Sequence, residues 1–260
     1  MTSRPLTALV TGASRGIGAV IAAQLAHRGV RVALQYRNNR RAADGTLRSL
    51  AGEGHGIFSA DLSDPASASR LWHKVIEQLG AVDILINNAG VYLDHSPLRT
   101  AYEVWQSAWQ HTLATNLMAP ADLSLLAAQS MAARAQPLGE GFGRGRIVNV
   151  SSRGAFRGEP DAPAYAASKA GLNALSQSLA RALAPSAVYL YCIAPGWVDT
   201  EMATSHLSGP KGSEILAQHP LGRINSAAEV AQATVYCALD APAAMTGCVI
   251  DVNGASYLRT

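Results

Sequence analysis

Apolar and polar positions along this chain follow two alternating rhythms. Leu6 to Thr11 reads as a buried strand, and after a glycine-rich turn Ile17, Val20, Ile21 and Leu25 recur at helical spacing until Gly29 offers a stop. Val30 to Tyr36 then alternates as a second strand does, completing a strand–helix–strand unit of about thirty residues. Further along, His55 to Leu62 predicts a third strand. Asp64-Pro65 predicts an N-cap and first helical position ahead of Leu71, Val75 and Leu79, Gly80 the end of that helix, and Val82 to Asn87 a fourth strand. Helical stretches follow over about 101 to 136, then a fifth strand from Arg146 to Val150, a helix over about 163 to 184 and a sixth strand from Val188 to Ile193. A helix opening with the capping box Ser226-x-x-Glu229 and a last strand from Val249 to Val252 complete the set. Seven strands alternating with helices predict an α/β chain with a Rossmann-type doubly wound parallel sheet, whose ligands bind at the carboxyl ends of the strands.

Two stretches break the regularity. Gln136 to Gly145 is Gly-rich and is expected to be a mobile surface loop without chemistry, and residues 198 to 224 lack periodicity and are expected to form a substrate lid. The segment from 112 to 133 carries one charge, Asp122, and reads as a pair of helices interrupted by Pro120, too apolar for solvent yet not a membrane insertion.

Composition narrows the class. With 260 residues, 48% hydrophobic and 15% charged, the chain can bury a large core, and no linker-like stretch divides it, so residues 1 to 260 are taken as one domain. The first apolar run, Leu6 to Val10, is too short for a signal peptide or a membrane span, which leads to the expectation of a cytoplasmic protein. Cys192, Cys237 and Cys248 lack metal or redox spacing and read as small buried hydrophobes, and the seven histidines are scattered, so no metal is expected. A net charge of +3 suits an anionic cofactor but falls short of a nucleic-acid footprint. The one dense basic cluster, Arg37, Arg40 and Arg41, has no interleaved aromatics and reads as a solvated loop face.

The first turn, Thr11-Gly12-Ala13-Ser14-Arg15-Gly16-Ile17-Gly18, stands directly between a strand and a helix. Glycines there let the backbone turn tightly and let a pyrophosphate approach the helix N-terminus, whose free N–H groups attract anions. The spacing differs from the common G-x-G-x-x-G fingerprint and resembles that of the short-chain dehydrogenase/reductase family. Other marks of that family follow in order: Asn87-Asn88-Ala89-Gly90 at the end of the fourth strand, Asn116 in the next helix, Ser152 after the fifth strand, Tyr165-x-x-x-Lys169 thirteen residues later, then Pro195-Gly196, Val198 and Thr200. The likeness runs from about residue 6 to 258 and implies an enzyme that moves a hydride between a nicotinamide and a carbonyl/alcohol pair.

Independently of the family, Tyr165 and Lys169 lie four apart on a predicted helix and so share a face. A carbonyl accepting hydride needs a proton donor within hydrogen-bond reach, and a nearby ammonium is expected to lower the phenol's pKa from about 10. Lys169 is placed to do this. The resemblance also implies that Lys169 holds the nicotinamide ribose, that Ser152 positions the substrate oxygen and that Asn116 supports a water chain for proton replenishment. Ser151 is the rival for the serine role, but the family spacing selects Ser152, and strand alternation turns Ser151 the other way.

The second strand ends in Tyr36-Arg37 where an acidic residue would select NAD, and Arg15 lies in the glycine turn. Two guanidinium groups there are expected to clamp a 2′-phosphate, which makes NADP the cofactor. Asp61 and Leu62 resemble the family's adenine contact. Among family members the chain resembles β-ketoacyl carrier-protein reductases, with departures. Arg144 or Arg146 could stand for one carrier-docking arginine, the other has no counterpart in the stretch from Leu183 to Val188, Tyr191 replaces an asparagine, and Asn253-Gly254-Ala255 replaces an Asp-Gly-Gly ending. A pocket wall of Tyr92, His95, Phe156, Trp197, Met202 and the loop to Arg223 favours a neutral carbonyl or alcohol substrate. The family also implies a homotetramer or homodimer. A catalytically silent NADP-sensing protein is the alternative, and degenerate catalytic positions would mark it; Asn116, Ser152, Tyr165 and Lys169 are all present.

Overall fold

The computed structural model describes residues 4–209 and 212–259, which form strands β1 (Thr7–Val10), β2 (Arg31–Tyr36), β3 (Gly56–Ser59), β4 (Ile84–Asn87), β5 (Gly145–Val150), β6 (Val188–Pro195) and β7 (Val249–Val252). They pair in parallel in the order β3-β2-β1-β4-β5-β6-β7. β1, β4 and β5 are buried along their whole length, as strands covered on both faces must be. Adjacent residues face opposite ways: Val10 and Ile86 pack in one core with Ile21, Leu25, Ile193 and Val235, while Leu9 and Leu85 pack in the other with Leu71, Leu123, Ile147 and Leu190. The order reverses between β1 and β4, and the diverging connections open a crevice at the carboxyl ends of those strands.

The helices are α1 (Gly16–His27), α2 (Arg40–Ser49), α3 (Ser67–Leu79), α4 (Tyr102–Leu113), α5 (Ala119–Ala132), α6 (Gly154–Arg157), α7 (Pro163–Leu183), α8 (Glu201–Leu207), α9 (Gly212–Ala217) and α10 (Ala227–Leu239). The expected capping box opens α10, with Ser226 and Glu229 bonding reciprocally. Among the described residues no helix is long and apolar enough to cross a membrane.

Several expectations are corrected. The expected loop around Arg40 and Arg41 is the first turn of α2, capped by Asn39, whose Oδ1 accepts from the Ala42 N–H at 3.0 Å; both arginines stay exposed. α2 buries a single residue, Ala43, so no apolar stripe announced it. α3 starts at Ser67 rather than Pro65, because Asp64 first closes a turn by accepting from the Ala66 N–H at 3.0 Å. The expected helix pair around Pro120 is one run: α4 passes through a wider π turn at Ala114–Met118 into α5. Pro120 has no N–H to offer the carbonyl four residues back, and the widened turn absorbs that loss. The stretch expected to form a lid holds α8 and α9.

The Gly-rich segment is an anchored loop, not a mobile one. Arg146, 1% exposed, donates to the carbonyls of Gly141 at 2.9 Å, Phe142 at 3.3 Å and Cys237 at 3.0 Å, and its guanidinium lies 4.8 Å over the Phe142 ring. Gly143, at φ +81°, sits so close to the next turn that a Cβ would meet the Ala187 carbonyl at 2.4 Å. Arg146 is therefore committed to the fold and cannot dock a carrier, while half-buried Arg144 reaches the Ala132 carbonyl at 3.5 Å. Arg146→Met is expected to lower unfolding free energy by about 2 kcal/mol, since three carbonyls lose a charged donor, and to open residues 139–143 to limited proteolysis. Wild-type resistance to cleavage in the variant contradicts this anchoring.

Candidate active site

The crevice is a groove of about 430 Å³, within the range of small-molecule sites. At one end Gly12 and Gly16 turn the chain at φ +63° and +56°, and a Cβ on Gly18 would lie 2.4 Å from the Gly12 carbonyl, so no larger residue fits. Arg15 precedes α1 without a side-chain cap, leaving the first N–H groups of a 12-residue helix for an anion. Asn88 holds this turn: its Nδ2 donates to the Thr11 carbonyl at 2.9 Å, while Thr11 Oγ1 accepts from the N–H groups of Asn88 and Ala89. Ser14, Ile17, Tyr36, Arg37, Asp61, Leu62, Ala89 and Gly90 continue the lining, and Pro195, Gly196, Val198 and Thr200 supply the facing wall. An unpaired helix terminus, glycines with no room for a side chain and flanking arginines form a cradle that fits a dinucleotide phosphate.

At the other end lie Ser152, Tyr165 and Lys169. Tyr165 is half-buried with its phenol beside the buried Ser152 hydroxyl, and the Tyr92 ring packs 4.9 Å from its own. Lys169 Nζ lies 5.8 Å from the Tyr165 ring centroid and donates to the Val150 carbonyl at 2.8 Å. Ser151 is turned away and donates to the Lys169 carbonyl at 3.3 Å. Asn116 stands one layer behind the lining: Oδ1 accepts from the Val91 N–H at 2.8 Å, and Nδ2 donates to the Val91 carbonyl and to Ser168 Oγ.

The apolar wall is corrected in part. Tyr92 and Trp197 line the groove. His95 instead fixes the start of α7, Nδ1 donating to the Leu93 carbonyl and Nε2 accepting from the Ala164 N–H at 3.1 Å. Phe156 lies 4.5 Å beneath the Arg259 guanidinium, Arg223 pairs with Glu229, and the side chain of Met202 falls outside the described residues. Three charged lining residues, Arg153, Glu159 and Glu201, were missed. Arg153 follows Ser152 directly, but a single arginine there carries no pattern that marks it. Glu201 forms an ion pair with Arg15, so the expected phosphate clamp is engaged by a carboxylate in this state.

Residues 12–255 match the family model described as enoyl-(acyl carrier protein) reductase. The 3-oxoacyl-[acyl-carrier-protein] reductase FabG of Escherichia coli K12 is 37% identical over 251 residues, covering 96% of this chain and 97% of that protein. The chain belongs to the short-chain dehydrogenase/reductase family. The Staphylococcus aureus FabG is 32% identical over 254 residues, covering 97% and 98% of the two chains. A solved structure of the angucycline C-6 ketoreductase LanV with bound NADP superposes with a TM-score of 0.82 at 30% identity, covering 96% of this chain and 95% of that one.

Electrostatics at this short-chain dehydrogenase/reductase site differ from the expectation of an ammonium that acidifies the phenol. Burial pushes Tyr165 up to about 12 against the opposing Ser152 hydrogen bond, and burial brings Lys169 down to about 8. Desolvation wins at both groups, so the phenol is a protonated acid. Between about pH 8 and 10.5 the unfolded chain then holds a proton on Lys169 that the folded chain has released, and this raises stability as pH rises across that window. Subtracting the stability–pH curve of Lys169→Met from that of the wild type, by urea unfolding, is expected to give a positive slope there; a flat difference contradicts the buried-lysine account.

Proposed function

We propose that this chain is a cytoplasmic NADPH-dependent reductase of carbonyl groups to alcohols, with residues 1–260 acting as one dinucleotide-binding and catalytic domain. The observation that carries this reading is the meeting of Tyr165, Ser152 and Lys169 at the far end of a groove that begins at a glycine turn and a free helix N-terminus. The glycine turn from Gly12 to Gly18 would hold the pyrophosphate, Arg15 and Arg37 the 2′-phosphate, Asp61 and Leu62 the adenine, Asn88 to Gly90 and Lys169 the ribose beside the nicotinamide, and Pro195 to Thr200 its ring. The reactions named for FabG and LanV support a carbonyl/alcohol pair as substrate.

When bound, the reduced nicotinamide supplies a hydride to the carbonyl carbon. Ser152 donates a hydrogen bond to the carbonyl oxygen and fixes its place, and Tyr165 gives its phenolic proton to that oxygen as negative charge develops. Lys169 provides positive charge near the phenol while tied to Val150, which steadies the phenolate left behind. Asn116 holds the π turn against Val91 and the base of α7 through Ser168, so its role here is to position the wall behind Gly90.

With NADPH and a panel of carbonyl compounds, turnover is expected at a kcat/KM above that with NADH, and Tyr165→Phe is expected to lower kcat by a factor of about a hundred to ten thousand with its fold intact by circular dichroism. A preference for NADH contradicts the phosphate clamp, and wild-type rates in Tyr165→Phe contradict the acid assignment. We further propose a homotetramer or homodimer. Met118 and Leu125, 55% and 54% exposed along the α4–α5 run, support an apolar contact between copies. Light scattering at micromolar concentration is expected to give a mass above one chain, and a monomer contradicts it.

A further inference from the structure

Arg153, next in the chain to Ser152, lines the substrate end of the groove yet is only 2% exposed. Its backbone N–H donates to the Pro195 carbonyl at 2.8 Å, and its guanidinium donates to the Ser256 carbonyl at 3.3 Å and to Gln218 Oε1 at 3.0 Å. Arg157, at the end of α6, donates to the same Gln218 oxygen at 2.9 Å. Two cations thus converge on one neutral acceptor. Among the described residues neither arginine has a carboxylate within 4.0 Å, although Glu159 lines the same wall.

Buried cations are ordinarily paired with anions, because leaving one uncompensated is costly. Burial, and then the charge of Arg157, bring Arg153 down to about 10 against a smaller opposing pull from the Glu159 carboxylate, which still leaves it charged at neutral pH. Two further polar atoms of this region, His219 Nε2 and Ser256 Oγ, are buried without partners. A carboxylate, with two anionic oxygens, satisfies a pair of guanidinium groups better than one amide oxygen does. Gln218 is exposed and stands in the turn just past α9, where an incoming carboxylate can displace its side chain.

We infer that Arg153 and Arg157 form a carboxylate subsite, occupied by the Gln218 amide oxygen in the free protein, and that the substrate is an oxo acid whose free carboxylate lies a few bonds from the reacting carbonyl. The two groups belong together because Arg153 follows Ser152 in the chain and both line the same end of the groove. The inference rests on the reductase reading above and narrows its substrate from the neutral one the sequence favoured. It also agrees with Arg146 being held inside the fold, where it cannot receive a carrier-bound acyl chain.

The test is kcat/KM with NADPH for acetoacetate and levulinate against their ethyl esters, in the wild type and in Arg157→Met, Arg153→Met and Gln218→Glu. Taking the acid-to-ester ratio cancels the intrinsic reactivity of each ketone. The ratio is expected to fall by about tenfold or more in each arginine variant, and to fall in Gln218→Glu, which places a rival carboxylate on both guanidinium groups. Exposed Arg157 keeps the test open if Arg153→Met does not fold. An unchanged ratio in Arg157→Met and Gln218→Glu, or a wild type that reduces the esters but neither acid, overturns the subsite. No turnover of any ketone in the panel overturns the reductase reading itself.

Discussion

The hydrogen bond from Lys169 to the Val150 carbonyl is the constraint on which the site depends. It joins the inner face of α7 to the end of β5, and two residues beyond Val150 stands Ser152, on the same groove wall as Tyr165 one helical turn before the lysine. Closing that loop of contacts puts acid, hydroxyl and ammonium in a single buried cluster. The cost is desolvation of a lysine, tolerated because a carbonyl receives the ammonium and because folding of the surrounding sheet does not depend on this corner alone. The same burial that makes the lysine a weaker base keeps the tyrosine protonated, the state a reductase needs before its substrate takes hydride.

Much of this could be read in the sequence, and for a physical reason. The strands of a parallel sheet covered on both faces must be apolar runs, so β1, β4 and β5 stood out, and a turn that forbids side chains must spell itself in glycine at Gly12, Gly16 and Gly18. What escaped was structure made by polar groups. α2 buries one alanine and is held by an asparagine cap, the π turn answers a missing N–H at Pro120, and the Gly-rich loop is fastened by an arginine whose partners are backbone carbonyls far away in sequence. Composition around such a loop resembles that of a free one.

The site divides in the same way. The tyrosine, lysine and serine announced themselves by spacing, and the structure gathers them on one groove with the glycine turn. The aromatic wall did not follow from residue type: His95 and Phe156 are spent on packing, while the charged Arg153, Glu159 and Glu201 take groove positions. A lone arginine after Ser152 carries no pattern. Only the fold reveals that Arg157 and Gln218 meet it.

The most direct test of the account is the ionisation of Tyr165 in the free protein, followed by NMR with ring-labelled tyrosine and assigned by loss of one signal in Tyr165→Phe. Burial predicts that this phenol keeps its proton through pH 10 and titrates near 12. Ionisation below pH 10 would mean that the lysine's charge outweighs desolvation, and would contradict the picture of a neutral acid held ready in the groove.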